Sequence, residues 1–528
     1  MGHDDMQKKM LGGATRREFL AGATALGVAA TATPGLLGVA QAADPKKGGH
    51  LRAGLLGGAV SDRINPTTYN DTVMISINRA IRDSLVEVGQ DNTAQPGLAT
   101  SWEPSDDAAT WYFELRKGVE FSNGKSLTTE DVIESINAHR GDTNSAAKAL
   151  FAGITDVKAD GDNRIVISLS SGNSDFPFLL TDYHLAVGPV VEGKLDLDSG
   201  MGTGLYILEE FEPGIRATMK RNPNAWQLDD GFGFVDSAEV VVIQDTAARQ
   251  SSLFTNDVDV INKPDLKTAH LTKRKPGVRI EAVDSNQHYT APMRSKVAPY
   301  DDLNVRMAIK HSLDRDEFIA KILFGYGTVG NDHPIGPGFQ FHAGDIPQNT
   351  YDPEKAKWYL KQAGLSSLDV TYHAADTAYA GAVDGGVLFS EHAKASGINL
   401  TVKREPNDGY WSTVWNKVPF CACIWGSRPV EDMILSICYQ SDAQWNDSQI
   451  DLPRLDAVIR DARAELNENK RRELYREAQM LISQQGGTIV PAFTKDVMAL
   501  SDRVGTTNQY GGGWEMDGGH FIKRWWLV

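Results

Sequence analysis

An α/β architecture is predicted for this chain, and three observations carry the prediction. Runs that alternate apolar and polar residues, such as Arg164-Ile165-Val166-Ile167-Ser168-Leu169, recur between runs with helical spacing, such as Leu455, Val458, Ile459, Ala462 and Leu466. Leu368 to Tyr372, Ala380 to Ala395 and Ile398 to Arg404 follow one another as strand, helix and strand, a βαβ unit. The 50 glycines are spread along 528 residues, which suits a loop-rich chain long enough for more than one core.

Residues 1–42 have the form of an export signal: Thr15-Arg16-Arg17-Glu18-Phe19-Leu20 is a twin-arginine motif, and a weakly apolar Ala/Gly/Leu run leads to Ala40-Gln41-Ala42, a small-x-small cleavage site. That run contains Pro34 and much Gly and Thr, so it is a poor membrane anchor. His50 to Leu55 is a first strand, followed by a Gly-rich loop ending at Asn65-Pro66. A helix from Thr72 to Asp83 and a strand at Leu85-Val86-Glu87 come next.

Trp111 to Leu115 alternates as a half-buried strand does, and Asn123-Gly124 marks a turn. Leu127-Thr128-Thr129-Glu130-Asp131 then opens a helix with a hydroxyl cap and acids in its first turn. The Gly118–Ser126 stretch ends in Gly-Lys-Ser, but five residues separate Gly118 from Gly124 where a phosphate-binding loop needs four. Gly202-Thr203-Gly204 likewise lacks the spacing of a dinucleotide loop. Further on, Asp352 caps a helix, Pro353 takes its first turn and Gly364 stops it. Two helices fill Leu452 to Gln485, and Trp525-Trp526 makes the C-terminus too aromatic for a loose tail.

The formal net charge of −16 argues against nucleic acid and anionic membrane as partners. No His-Glu-x-x-His, Gly-x-Ser-x-Gly or metal-spaced cysteine pair is present, so the chain is not expected to be an enzyme, to need a cofactor or to hold a metal. Cys421, Cys423 and Cys438 are the only cysteines. Either of the first two is within reach of Cys438, and buried free thiols are the equal alternative. The dense constellation lies between Asn407 and Asp447, with Tyr410, Trp411, Trp415, Trp425 and Trp445. Trp411 and Trp415, at helical spacing, are expected to be core. The apolar strand Cys421 to Ile424 ends in Trp425-Gly426-Ser427-Arg428, where loops of α/β sheets face a cleft.

One stretch also carries a resemblance. Pro96-Gly97-Leu98-Ala99, Ser101-Trp102-Glu103, Leu115-Arg116-Lys117-Gly118-Val119, Leu127-Thr128 and Glu130-Asp131-Val132 are similar to the signature region of bacterial family 5 solute-binding proteins, the periplasmic components of peptide, opine and nickel importers. Gly202-Thr203-Gly204-Leu205-Tyr206, Asn222-Pro223-Asn224-Ala225-Trp226 and Tyr351-Asp352-Pro353-Glu354-Lys355-Ala356 extend it along the chain. The resemblance implies a two-lobe periplasmic binding fold (type II, cluster C). Lobe I would comprise residues 43–77, 200–283 and 491–528, with an inserted subdomain at 78–199, and lobe II residues 284–490.

It also implies a site. The loop ending at Asn65 would line the cleft, Trp425 and Gly426 would lie at the ligand, and Asp432 or Glu431 would bind its amino group. Dipeptide-binding relatives hold a substrate carboxylate with an arginine where this chain has Asp376. Arg428 replaces that arginine, or the ligand has no carboxylate. Together with Ser427 and with Tyr289 from the segment crossing between lobes, these residues favour an amine-bearing solute: peptide-like, an opine or a modified amino acid. The expected partners are that solute and an inner-membrane ABC permease, with the protein a periplasmic monomer. A nickel-chelate or haem carrier is the alternative within the family. A periplasmic peptide or amide hydrolase and a chaperone are the readings from other classes.

Overall fold

The computed structural model describes residues 45–507, 509–511 and 515–528. The export signal and its cleavage site lie outside the described residues. No described helix is long and apolar enough to cross a membrane.

The largest sheet has nine strands. His50–Leu55 pairs in parallel with Ser237–Val242 on one side and Val260–Asn262 on the other. The hairpin Tyr206–Glu212 and Arg216–Arg221 extends the first side antiparallel. Beyond Val260–Asn262 lie Thr488–Ser501 and then Val278–Pro292, two strands of 14 and 15 residues that run antiparallel. Cys423–Trp425 closes the far edge, and Gly327–Val329 also pairs with Thr488–Ser501.

Those two long strands organise the molecule. At one end Met498 and Leu500 pack with Leu51, Ala53 and the helix Thr72–Ile81. At the other, Tyr289, Ala291, Ile489 and Ala492 belong to a second core with the βαβ unit Leu368–Ala374, Ala382–Lys394 and Ile398–Arg404. Their register breaks between Asp284 and His288, so the paired strands bend where they leave one core for the next. A third core is built on a separate four-stranded sheet, Ala99–Pro104, Thr110–Leu115, Arg164–Leu169 and Ile154–Ala159. A fourth gathers the helices Glu431–Cys438, Pro453–Ala464 and Glu468–Gln485 around Trp425.

Local chemistry accounts for these elements. Thr128 and Asp131 form a reciprocal capping box at Thr129–Asn137, and Asp352 caps Pro353–Gln362 by accepting from the Lys355 amide. Gly202 and Gly204 sit so close to the end of helix Thr72–Ile81 that a Cβ on either would fall within 2.5 Å of a helix backbone atom. That approach, not nucleotide binding, is what the glycines allow. Buried Asp83 then ties the turn to the rest: it accepts from Thr203 Oγ1 at 2.8 Å and Trp226 Nε1 at 3.0 Å, and pairs with Lys523 at 3.4 Å. Trp525 and Trp526 are fully buried.

One expectation is corrected. Trp411 is exposed on a one-turn helix, because its neighbour Tyr410 takes the buried position. The three cysteines are buried free thiols.

Candidate functional site

A cavity of 710 Å³ lies where the first, third and fourth cores meet, within the usual size range for small-molecule sites. Four segments build it. Helix Thr72–Ile81, capped by Asp71, presents Ile75 and Arg79. The third core supplies Ala147, Leu150, Phe176, Leu179, Asp182 and His184. The loop after strand Cys423–Trp425 supplies Ser427 and Arg428, and it is held to the long strand by Asn286 Nδ2, which donates to the Arg428 carbonyl at 2.9 Å. Helix Glu431–Cys438 turns Ile434, Leu435 and Cys438 into its core, which leaves Asp432, Met433, Ser436 and Ile437 on the cavity side. Trp445, His520 and Arg524 complete the wall.

The charges divide sharply. Asp432 accepts from Arg463 Nε at 2.9 and 3.0 Å and from Ser436 Oγ at 2.8 Å, so its charge is matched. Arg524 pairs with Asp517 at 3.1 Å. Asp182 accepts from His184 Nδ1 at 2.6 Å; burial alone would raise this carboxyl, but the imidazole contact outweighs it and holds it below the ordinary range. Arg79 and Arg428 form no ion pair among the described residues. Arg79 donates only to the Ser84 hydroxyl and the Thr181 carbonyl, and its Nε is buried without a partner. Arg428 donates to the carbonyls of Gly426 and Ser427 in its own loop, at 3.2 and 2.9 Å. Burial pushes both guanidiniums below their ordinary range.

One rim of the cavity is pinned. Ser174 donates from its amide to Arg463 O and from its hydroxyl to Glu465 O, and Asp175 pairs with Arg471 at 2.5 Å. Nearby, Glu431 is 1% exposed and accepts from the Phe341 amide at 2.6 Å; burial pushes it up to about 7.

Of the residues singled out by sequence, Ser427, Arg428 and Asp432 line the cavity together. Trp425 is packed behind it, with its ring centroid 6.0 Å from that of Trp445, which is the exposed one of the pair. Gly426 contributes the carbonyl that Arg428 binds. Tyr289 is stacked on Tyr379 at 3.9 Å inside the second core, because its strand has already left the cavity there. Asp376 is 43% exposed beside Arg404 and points its oxygen at the Val383 amide. Asn65 caps the turn Pro66–Thr68 and donates to Asp198. None of these last three lines the cavity. Among the described residues, no group of three or more His, Cys, Asp or Glu side chains is placed to hold a metal ion.

Sequence reasoning missed Arg79, Asp182, His184 and His520. Arg79 left one signal: it is the only charge in the ten-residue run Thr72–Ile81, and the helix around it is wholly buried.

Fold and cavity define a class, the two-lobe α/β binding proteins of the periplasmic type. The chain belongs to the bacterial extracellular solute-binding proteins, family 5, whose middle region matches residues 93–447. It is 26% identical over 486 residues to "Heme-binding protein A" of Haemophilus influenzae, covering 84% of this chain and 86% of that protein. It is likewise 26% identical over 478 residues to the "Dipeptide-binding protein" of Escherichia coli, covering 81% and 85%. The solved structure of HbpA2 from Haemophilus parasuis superposes with a TM-score of 0.80 at 19% identity, over 91% of this chain and all of that one. Proteins of this family are binding proteins rather than enzymes, and the relatives are periplasmic or extracellular.

Proposed function

We propose that this chain is the periplasmic component of an ABC importer and carries one organic solute in the 710 Å³ cavity to an inner-membrane permease. The observation that supports this best is the cavity itself: an apolar wall with a few directed polar groups, at the meeting point of separately packed cores in a chain of a solute-binding family. The bent strand pair that links the cores is the element able to let them move about the bound solute. Of the acids expected to hold an amine, Asp432 is taken by Arg463 and Asp376 lies off the cavity. Asp182, engaged by His184, is the carboxylate that remains for one.

The test is incubation of purified protein with a metabolite extract. One compound should come back unchanged at about one equivalent; recovery of cleavage products would make the protein a hydrolase instead. Export through the twin-arginine route is part of the same proposal. Replacing both Arg16 and Arg17 by Lys is expected to leave the protein in the cytoplasm, and normal periplasmic recovery on fractionation would refute that route.

A further inference from the structure

Charges buried without partners are costly, and proteins match them or leave them for a ligand to match. In this cavity Asp432 is matched by Arg463, Arg524 by Asp517 and Asp182 by His184. Arg79 and Arg428 are left over. Arg79 feels Glu87, already paired with Lys523, and Asp182; Asp182 also reaches Arg428, and His184 already engages it. His184 is held between Asp182 Oδ1 at 2.6 Å and Tyr69 O at 2.8 Å, so Asp182 already has a hydrogen-bonded partner. His520, on the same wall, has a buried Nδ1 without a partner. Arg79 is 8% exposed at the end of a buried helix, and the half-buried Arg428 is tethered to two carbonyls of its own loop, so both guanidiniums are held at the cavity wall.

We propose that the solute is a net anion with an apolar body. Its acid group lies between Arg79 and Arg428, and its body lies against Leu150, Leu179, Met433, Ile437 and Trp445. Planar guanidiniums suit a carboxylate, which each can bind through paired N–H donors. The apolar stretch Leu150, Leu179, Met433, Ile437 and Trp445 offers no hydrogen bond, so the part of the solute against it is apolar. A net cation would add to two unmatched positive charges. This inference rests on the reading of the cavity as the solute site.

The test separates the two. A metabolite extract is split by ion exchange at pH 7 into net-anionic, neutral and net-cationic pools, and the melting temperature is read with each. The anionic pool alone should stabilise wild-type protein. Arg428→Gln should lose most of that shift, and Arg428→Lys should keep part. Arg79→Lys, which retains the charge but not the planar fork, should weaken the response about tenfold in concentration. If the neutral or cationic pool stabilises instead, and the cavity-filling change Ile437→Trp abolishes that effect, the cavity reading stands and the anion inference is overturned. If no pool acts, or Ile437→Trp leaves the response intact, the cavity is not the solute site and both fall.

Discussion

Two parts of one cavity wall use arginine in opposite ways. On the helix Glu431–Cys438, Asp432 and Arg463 satisfy each other within 3.0 Å, with Ser436 closing the triangle. Across from them Arg79 and Arg428 bind only neutral oxygens. Matched charge of the first kind holds elements together and is blind to what enters the cavity. Unmatched charge of the second kind weakens the empty protein and is repaired only by a partner. The same residue type is therefore structural on one side and selective on the other, and carboxylate distances alone tell them apart.

The comparison breaks most visibly at the matched pair. Asp432→Asn removes one ion and strands Arg463, so it should cost about 2–4 kcal/mol in urea unfolding. A loss below about 0.5 kcal/mol would show that the pair does not hold the wall. Next in size is Glu431. Its folded pKa, about 7, is raised above the unfolded value of 4.5, so the native state holds the proton more tightly. The contribution of this group to stability is therefore greatest below pH 4.5 and falls as pH rises from there to about 7. Glu431→Gln, which never ionises, should be more stable than wild type at pH 8 by up to about 3 kcal/mol, and the gap should close near pH 4.5. A gap that does not change with pH would contradict the burial argument.

How far all this is legible in the sequence depends on range. Caps, turns and the βαβ unit are local, and Thr128, Asp131, Asp352 and Gly364 announce them correctly. Ser427 and Arg428 could be placed because a strand-end loop in an α/β sheet faces a cleft. Arg79 and His520 could not, since nothing local says that a helix near the start and a turn near the end share one cavity wall. Asp376 and Asn65 lie off this cavity for the opposite reason. Each is an acid or amide in a loop whose side chain accepts from a backbone amide close by in sequence, a role sequence alone does not separate from ligand binding. Tyr289 lies on the crossing strand as expected, but strand register, set by pairing with Thr488–Ser501, carries it past the cavity into a tyrosine stack.

The smallest expected effect sharpens the contrast from outside the cavity. Asp376→Asn should change stability by less than about 0.5 kcal/mol, because its partner Arg404 is itself mostly exposed, and should leave solute affinity unchanged. A tenfold drop in affinity would return Asp376 to the site.

The most direct measurement of the whole account is calorimetric titration of Arg428→Gln with the solute recovered from wild-type protein. Affinity should fall at least tenfold, about 1.4 kcal/mol, while urea unfolding of the empty variant stays within about 1 kcal/mol of wild type. Wild-type affinity in that variant would contradict the claim that unmatched charge in this cavity marks the place of the solute.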